Sequence, residues 1–323
     1  MKHGKGPVVS LMAVILVACG GGDVMGTGEI IPTSTQPVPT GFEEIPDDVA
    51  LFRSVFHKYI SVFGVHTLST EDTPNEKHLH LAAVLAQYLD SNQDGTPDDP
   101  AVVAKMRSER AWVGIAKDQD DRDDIEQRLI QFLESASDAE LPEIQKLIEN
   151  GGTMWSTEID PPSPFPDATI EEILHLVTQQ GYTKVYADLK REAGSKFALA
   201  MDQARGGHFE EVHKEDCQDD SDQCALPPGR VYPAGAWYTY VTGTCNYDCM
   251  MTEYYFWALT SILGHNQATA RCESISHEWP LCTTEQVQIQ DPAIYEMMTD
   301  PQYNQPTFLP DGSYTGPASV LGP

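Results

Sequence analysis

Every cysteine beyond residue 19 falls in the C-terminal third of this 323-residue chain: Cys217, Cys224, Cys245, Cys249, Cys272 and Cys282. Their meaning depends on the compartment in which the chain folds, because disulfides persist only where the surroundings are oxidising. Lys2 and Lys5 precede an apolar run from Val8 to Ala18 that is too short for a permanent membrane span and has the form of a signal peptide. In an exported chain an even set of cysteines reads as three disulfides, although the count alone leaves the pairing open. Pairing sequence neighbours, Cys217 with Cys224 and Cys272 with Cys282, would close short surface loops. Cys245 with Cys249 would lock a tight turn just before a helix. The competing use, a thiolate zinc site, is disfavoured by export and by the lack of any C-x-x-C pair.

Leu16-Val17-Ala18-Cys19 resembles the lipobox of bacterial lipoproteins, in which small residues precede a cysteine that is lipidated and becomes the new N-terminus. The resemblance implies a signal peptide over residues 1–18, a lipid on Cys19 and a body tethered to a membrane by acyl chains in the bacterial cell envelope. An ordinary secretory signal with a chance cysteine is the alternative. Gly20 in place of Asp implies, under enteric-type sorting, the outer membrane, facing the periplasm or the cell surface. Gly, Thr and Pro dominate up to Thr40, so residues 19–41 read as the lipidated cysteine and a flexible linker. No later segment is apolar enough to span a bilayer. The formal charge is −29, and −31 beyond Cys19 because Lys2 and Lys5 are the only Lys, Arg, Asp or Glu residues before it. Such acidity repels phosphate-rich partners and excludes nucleic acid as a ligand.

Folding is expected from Phe42. Apolar residues at helical spacing predict helices over Leu51–Phe63, His78–Leu89, Ile125–Leu133 and Ala139–Ile148, the last stopped by Gly151-Gly152. Ala111–Ala116 reads as a strand, and Met154–Ile159 as a short one. The fold class is α+β, predominantly α-helical, with a helical region over residues 42–150 and a disulfide-bearing region over 151–323.

Asp90-Ser91-Asn92-Gln93-Asp94-Gly95-Thr96-Pro97-Asp98-Asp99 sets oxygen side chains at alternate positions around a glycine turn. Calcium takes six to eight oxygens at about 2.3–2.6 Å, and this alternation would converge Asp90, Asn92, Asp94 and Asp98 on one point. The pattern resembles the calcium loops of EF-hand-like, dockerin and thrombospondin type 3 repeats. It departs from the EF-hand at Pro97, where an aliphatic residue is usual, and at Ala101, where the twelfth-position glutamate is missing. A solvated Asx-rich turn capping the preceding helix is the alternative. Calcium, if bound, is structural.

In the segment from Asp167 to Tyr182, Ile170, Leu174 and Val177 form an apolar stripe, while Glu171 and His175, four apart, share a helix face. Glu172 lies on the adjoining face. This resembles the zincin helix H-E-x-x-H with its first histidine replaced by Glu171 and with Gly181 following at the expected distance. Downstream, the run from Tyr247 through Glu253 to Trp257 is similar to the second ligand helix of gluzincins, above all that of the lethal-factor-type peptidases. The resemblance implies Glu171, His175 and Glu253 as ligands of zinc or another divalent transition metal, Glu172 as general base and Tyr247 as oxyanion donor. It implies a zincin-like fold over 151–323 and a peptide or protein substrate. One histidine with two carboxylates is less selective than the usual zinc set, which leaves manganese, iron or calcium open. The same residues also admit a reading without metal. Thr169 and Glu172 have capping-box spacing, His175 can pair with Glu171, and Glu253 can be a first-turn carboxylate behind Asp248.

His208 and His213 flank Glu210-Glu211 in a second His/Glu cluster, whereas His78 and His80 read as surface or capping groups. Trp237, Tyr238 and Tyr240 line a cleft or pack as a strand. There is no G-x-S-x-G elbow, phosphate loop or dinucleotide fingerprint. Two classes of function follow: an exported metallohydrolase, plausibly a peptidase, or a non-catalytic calcium-binding surface lipoprotein serving as an interaction module.

Overall fold

The computed structural model describes residues 41–162, 165–217 and 224–322, so the signal segment and Cys19 lie outside the described residues. A 3₁₀ segment, Asp47–Ser54, leads into β1 (Lys58–Val62) and β2 (Val65–Ser69). Then come α1 (Asn75–Leu89), α2 (Pro100–Glu109), β3 (Trp112–Ala116), α3 (Gln119–Ser135), α4 (Leu141–Glu149) and β4 (Gly151–Trp155). The remainder is helical and irregular: α5 (Thr169–Val177), α6 (Thr183–Val185), α7 (Lys196–Arg205), α8 (Tyr247–Ile262), α9 (Thr269–Ile275), α10 (Thr284–Gln290) and α11 (Pro292–Thr299). The fold is α+β and predominantly helical.

The helix expected over Leu51–Phe63 is instead the 3₁₀ segment followed by β1. Phe63 and Gly64 both take positive φ, 50° and 82°, which makes the two-residue hairpin turn that joins β1 to β2. β2 then pairs parallel with β3, and β3 with β4, each through a helical crossover. Alternation along β3 explains why the sheet is apolar on both faces: Val113 and Ile115 join the core under α1, α2 and α5, while Trp112 and Ala116 face Phe52, Phe56, Ile125 and Leu147. Gly114 faces this second layer, and a Cβ there would come within 2.5 Å of the Phe56 ring.

The main core draws on residues from Phe42 to Val320, so both halves of the chain share one interior. Its centre is α8, buried on nearly all sides and packed against α5, α7, α10 and α11. Asn246 caps it, accepting from the Cys249 amide at 2.9 Å, and the Cys245–Cys249 bridge closes over its first turn. The other two bridges join Cys217 to Cys224 and Cys272 to Cys282, so all three expected neighbour pairings are formed. The short strand expected from Met154 starts earlier and ends sooner, at Trp155, and the Trp237–Tyr240 segment is irregular rather than a strand. Among the described residues no helix is long and apolar enough to cross a membrane.

Candidate metal centre

Asp167 starts α5 by accepting the Thr169 amide at 3.0 Å. The capping box that Thr169 and Glu172 could have formed is not made: the Thr169 hydroxyl and Glu172 Oε2 are both buried without a hydrogen-bond partner. The capping box is therefore not what holds Glu172, which stands as a first-turn carboxylate at the positive end of α5. Gly181 does not stop the helix either. The chain continues through a π-helical turn, Thr178–Tyr182, in which a Cβ on Gly181 would meet Val102 of α2 at 2.7 Å, so the missing side chain lets the two helices touch.

His175 projects from α5 toward α8 and is 4 % exposed. Its Nε2 lies 3.7 Å from Glu253 Oε2 and its Nδ1 3.6 Å from Glu172 Oε2, both too long for hydrogen bonds. The ring meets Phe256 edge-on at 5.7 Å, which fixes its plane. Glu253 stands in the second turn of α8, not the first, and is 9 % exposed, too deep to act as a helix-end carboxylate. One ligand atom each from Glu171, His175 and Glu253 falls within 4.8 Å of the others, the one such group among the described residues. This Glu-His-Glu group could hold a metal ion.

The electrostatics are those of a concentrated negative site. Burial pushes the Glu253 carboxyl well above the usual range; His175 opposes this and the charges of Glu171, Glu172 and Glu278 reinforce it. Burial likewise raises Glu171, against the pull of His175. For His175 burial favours the neutral ring, yet Glu253 and Glu172 outweigh it and raise its pKa. A cation between the three would relieve the repulsion among the carboxylates and give Nε2, which makes no hydrogen bond, a closer partner than the Glu253 oxygen at 3.7 Å.

Tyr247 points elsewhere. Its hydroxyl donates to Asp202 Oδ1 at 2.8 Å, and its ring meets His208 edge-on at 5.0 Å. His208 also pairs with Asp202 and Glu210, and together with His213 and Glu211 lines an open surface cavity away from the triad. Three groups that motif spacing did not single out gather around the triad instead. Tyr240 is raised well above a normal phenol by burial and then by the charges of Glu253 and Glu171. Glu278 and Arg271 both act electrostatically on Glu171. Two links bring Tyr240, Arg271 and Glu278 in: the Thr239 amide donates to Glu278 O at 2.9 Å, and the Cys272–Cys282 bridge ties α9 to the irregular segment after Trp279.

The acidic loop closes on itself. Asp90, fully buried, accepts from the amides of Asp94 and Gly95 and from the Tyr314 hydroxyl at 2.6 Å. Asn92 accepts from Asp94 N, Asp94 from Thr96 N, and Asp98 from Ser91 N. The Asn92 and Asp94 bonds are Asx-turn bonds, and the Tyr314 hydroxyl ties the loop to the C-terminal tail. His78, expected at the surface, is fully buried between the Thr67 and Ser69 hydroxyls, each at 2.8 Å, because α1 lays this face on β2. His80 pairs with Asp167 at 2.6 Å and so braces the start of α5. No known protein family matches this chain, and neither a curated protein nor a solved structure gives a match.

Proposed function

We propose that the chain is an exported, lipid-anchored envelope protein of bacterial type that acts as a metal-dependent hydrolase on peptide bonds. The observation that carries the reading is His175 Nε2, buried without a hydrogen-bond partner and facing Glu253, with Glu171 completing a convergent set. Three disulfides in the C-terminal third agree with an oxidising compartment. Glu171, His175 and Glu253 would hold a divalent transition metal, with zinc or manganese best matching mixed imidazole and carboxylate donors. When bound, such an ion supplies Lewis acidity toward a carbonyl and makes water acidic near neutral pH. Glu172, whose Oε2 makes no hydrogen bond, accepts the proton of the attacking water and delivers it to the leaving amine.

The protein purified from a periplasmic expression host is expected to cleave casein, to stop on chelation and to recover when zinc or manganese is returned. Cleavage indifferent to chelator, or none with metal bound, would end the reading. The phenols divide in the same assay. Tyr240, whose buried phenol feels the charges of Glu253 and Glu171, takes the oxyanion-donor role in this reading, and Tyr240→Phe is expected to lower turnover roughly 10²-fold. Tyr247→Phe leaves turnover within a few-fold, because Asp202 already holds that hydroxyl. The reverse ranking would restore Tyr247 to the role its sequence position implies.

A further inference from the structure

Arg271, on α9, lays its guanidinium over the Trp257 ring at 5.4 Å from the ring centre. Trp257 stands four residues after Glu253 on α8, so it occupies the same helix face about 6 Å along the axis from a residue of the triad. Arg271 is not a partner for the triad carboxylates. Glu171 and Glu278 act on it electrostatically, and its charge acts on His265, but among the described residues no carboxylate comes within ion-pairing distance of it. Among the described residues its one hydrogen bond is long, from Nε to Asn266 Oδ1 at 3.4 Å. Asn266 is itself fully buried and pinned to α8 by the Thr260 and Ser261 hydroxyls, each at 3.0 Å. The stem is therefore fixed while the two terminal nitrogens remain open. On the same aromatic ring, Trp257 Nε1 is buried with no partner, on a residue only 6 % exposed.

The guanidinium lies 5.4 Å from the centre of the ring that carries the unpaired indole N–H, so the terminal N–H groups of Arg271 and the Trp257 N–H are close enough to serve one acceptor. One acceptor with two oxygens matches those donors, and a carboxylate is the group whose geometry fits a guanidinium fork. We infer that Arg271 and Trp257 form a carboxylate-binding subsite beside the Glu171-His175-Glu253 centre, and that the substrate carries a carboxylate within about one residue of the bond cut. The inference rests on the hydrolase reading for the word substrate, but not for the binding itself. In a chain of net charge −29 this fork acts as a local attractor for an anion that the protein as a whole repels. Two sources share the chemistry: the C-terminal carboxylate of a peptide and an acidic side chain next to the scissile bond.

Intrinsic tryptophan fluorescence is titrated with three probes: N-acetyl-Ala-Ala, its C-terminal amide, and N-acetyl-Asp-Ala amide. Wild-type protein is expected to bind the free acid about tenfold or more tighter than the amide, the preference a charge-assisted contact gives. Arg271→Gln erases the preference, and Arg271→Lys retains part of it. Trp257→Phe weakens binding of the acid several-fold and leaves the amide unchanged. All three variants keep the wild-type metal content. Binding of N-acetyl-Asp-Ala amide at the level of the free acid assigns the subsite to side-chain carboxylates; binding at the level of the simple amide assigns it to chain ends. Equal affinity for acid and amide in the wild type, or a preference that survives Arg271→Gln, overturns the subsite. Should the Gln variant fail to fold, the wild-type comparison and Trp257→Phe decide alone. Because the titration needs no turnover, an absent metal would defeat the hydrolase reading while leaving the acid-over-amide preference to be read.

Discussion

Glu172→Gln is expected to reduce chelator-sensitive hydrolysis by roughly 10²–10⁴-fold while the protein keeps its metal and its melting temperature, the range found when a general base is removed. The separation of effects follows from where the side chain sits. Glu172 is adjacent to the triad but outside it, its Oε2 3.6 Å from His175 Nδ1 and bonded to nothing. Glutamine keeps the shape and loses only the capacity to take a proton. If Glu172 merely oriented the imidazole from behind, the variant would lose metal affinity about 10–100-fold along with activity, as outer partners of ligating histidines do. Metal titration of the variant beside its rate distinguishes the two roles. An unchanged rate would remove Glu172 from the chemistry altogether.

The second large effect is on stability, and its sign is set by burial. Glu171 and Glu253 are pushed above their ordinary value of 4.5 mainly by desolvation, and His175 is raised above 6.5, with burial opposed and outweighed by Glu253 and Glu172. For all three groups the folded state holds its proton more tightly than the unfolded chain. Their contribution is therefore fully present below the unfolded values and is lost as pH rises through the raised folded ones. Each unit of raised pKa corresponds to about 1.4 kcal/mol, so the metal-free protein is expected to lose on the order of a few kcal/mol as pH rises from about 5 through the folded values of about 7, 8 and 9 for Glu171, Glu253 and His175. Metal reverses the trend by supplying the missing positive charge. At a thousandfold excess over its dissociation constant it adds about 4 kcal/mol. Melting curves of chelator-treated protein should thus fall with rising pH, the gain on adding metal should grow in step, and Glu253→Gln should flatten the fall. A metal-free melting temperature that is flat or rises across this range would contradict the buried-carboxylate account.

How much of this was legible beforehand differs by element. The helix over His78–Leu89 was readable because its apolar residues recur at helical spacing, and α1 spans it. β3 was readable as the apolar run Ala111–Ala116, but β1 and β2 were not: β2 is buried at every position, so no alternation marks it, and short apolar runs of this kind fit a buried helix equally well. The error at Leu51–Phe63 arose there, since nothing local to Phe63 announces a left-handed residue. In the site, Glu171 and His175 were legible from their four-residue spacing, and Glu253 from its helix. Tyr240 was legible only as part of an aromatic cluster, and Arg271 and Glu278 not at all, because they approach the triad from separate segments that a disulfide and the Thr239–Glu278 backbone hydrogen bond bring together. The capping alternative could be decided only by geometry, through a Thr169 hydroxyl and a Glu172 oxygen that make no cap.

The most direct test is elemental: zinc, manganese, iron and calcium are quantified per chain in the periplasmically expressed protein and in His175→Ala. The account predicts about one transition-metal ion per wild-type chain, lost in the variant, because the imidazole is the single nitrogen donor of the set. Calcium alone, or a metal content that His175→Ala leaves unchanged, would contradict it and return Glu171, Glu172 and His175 to a purely structural role.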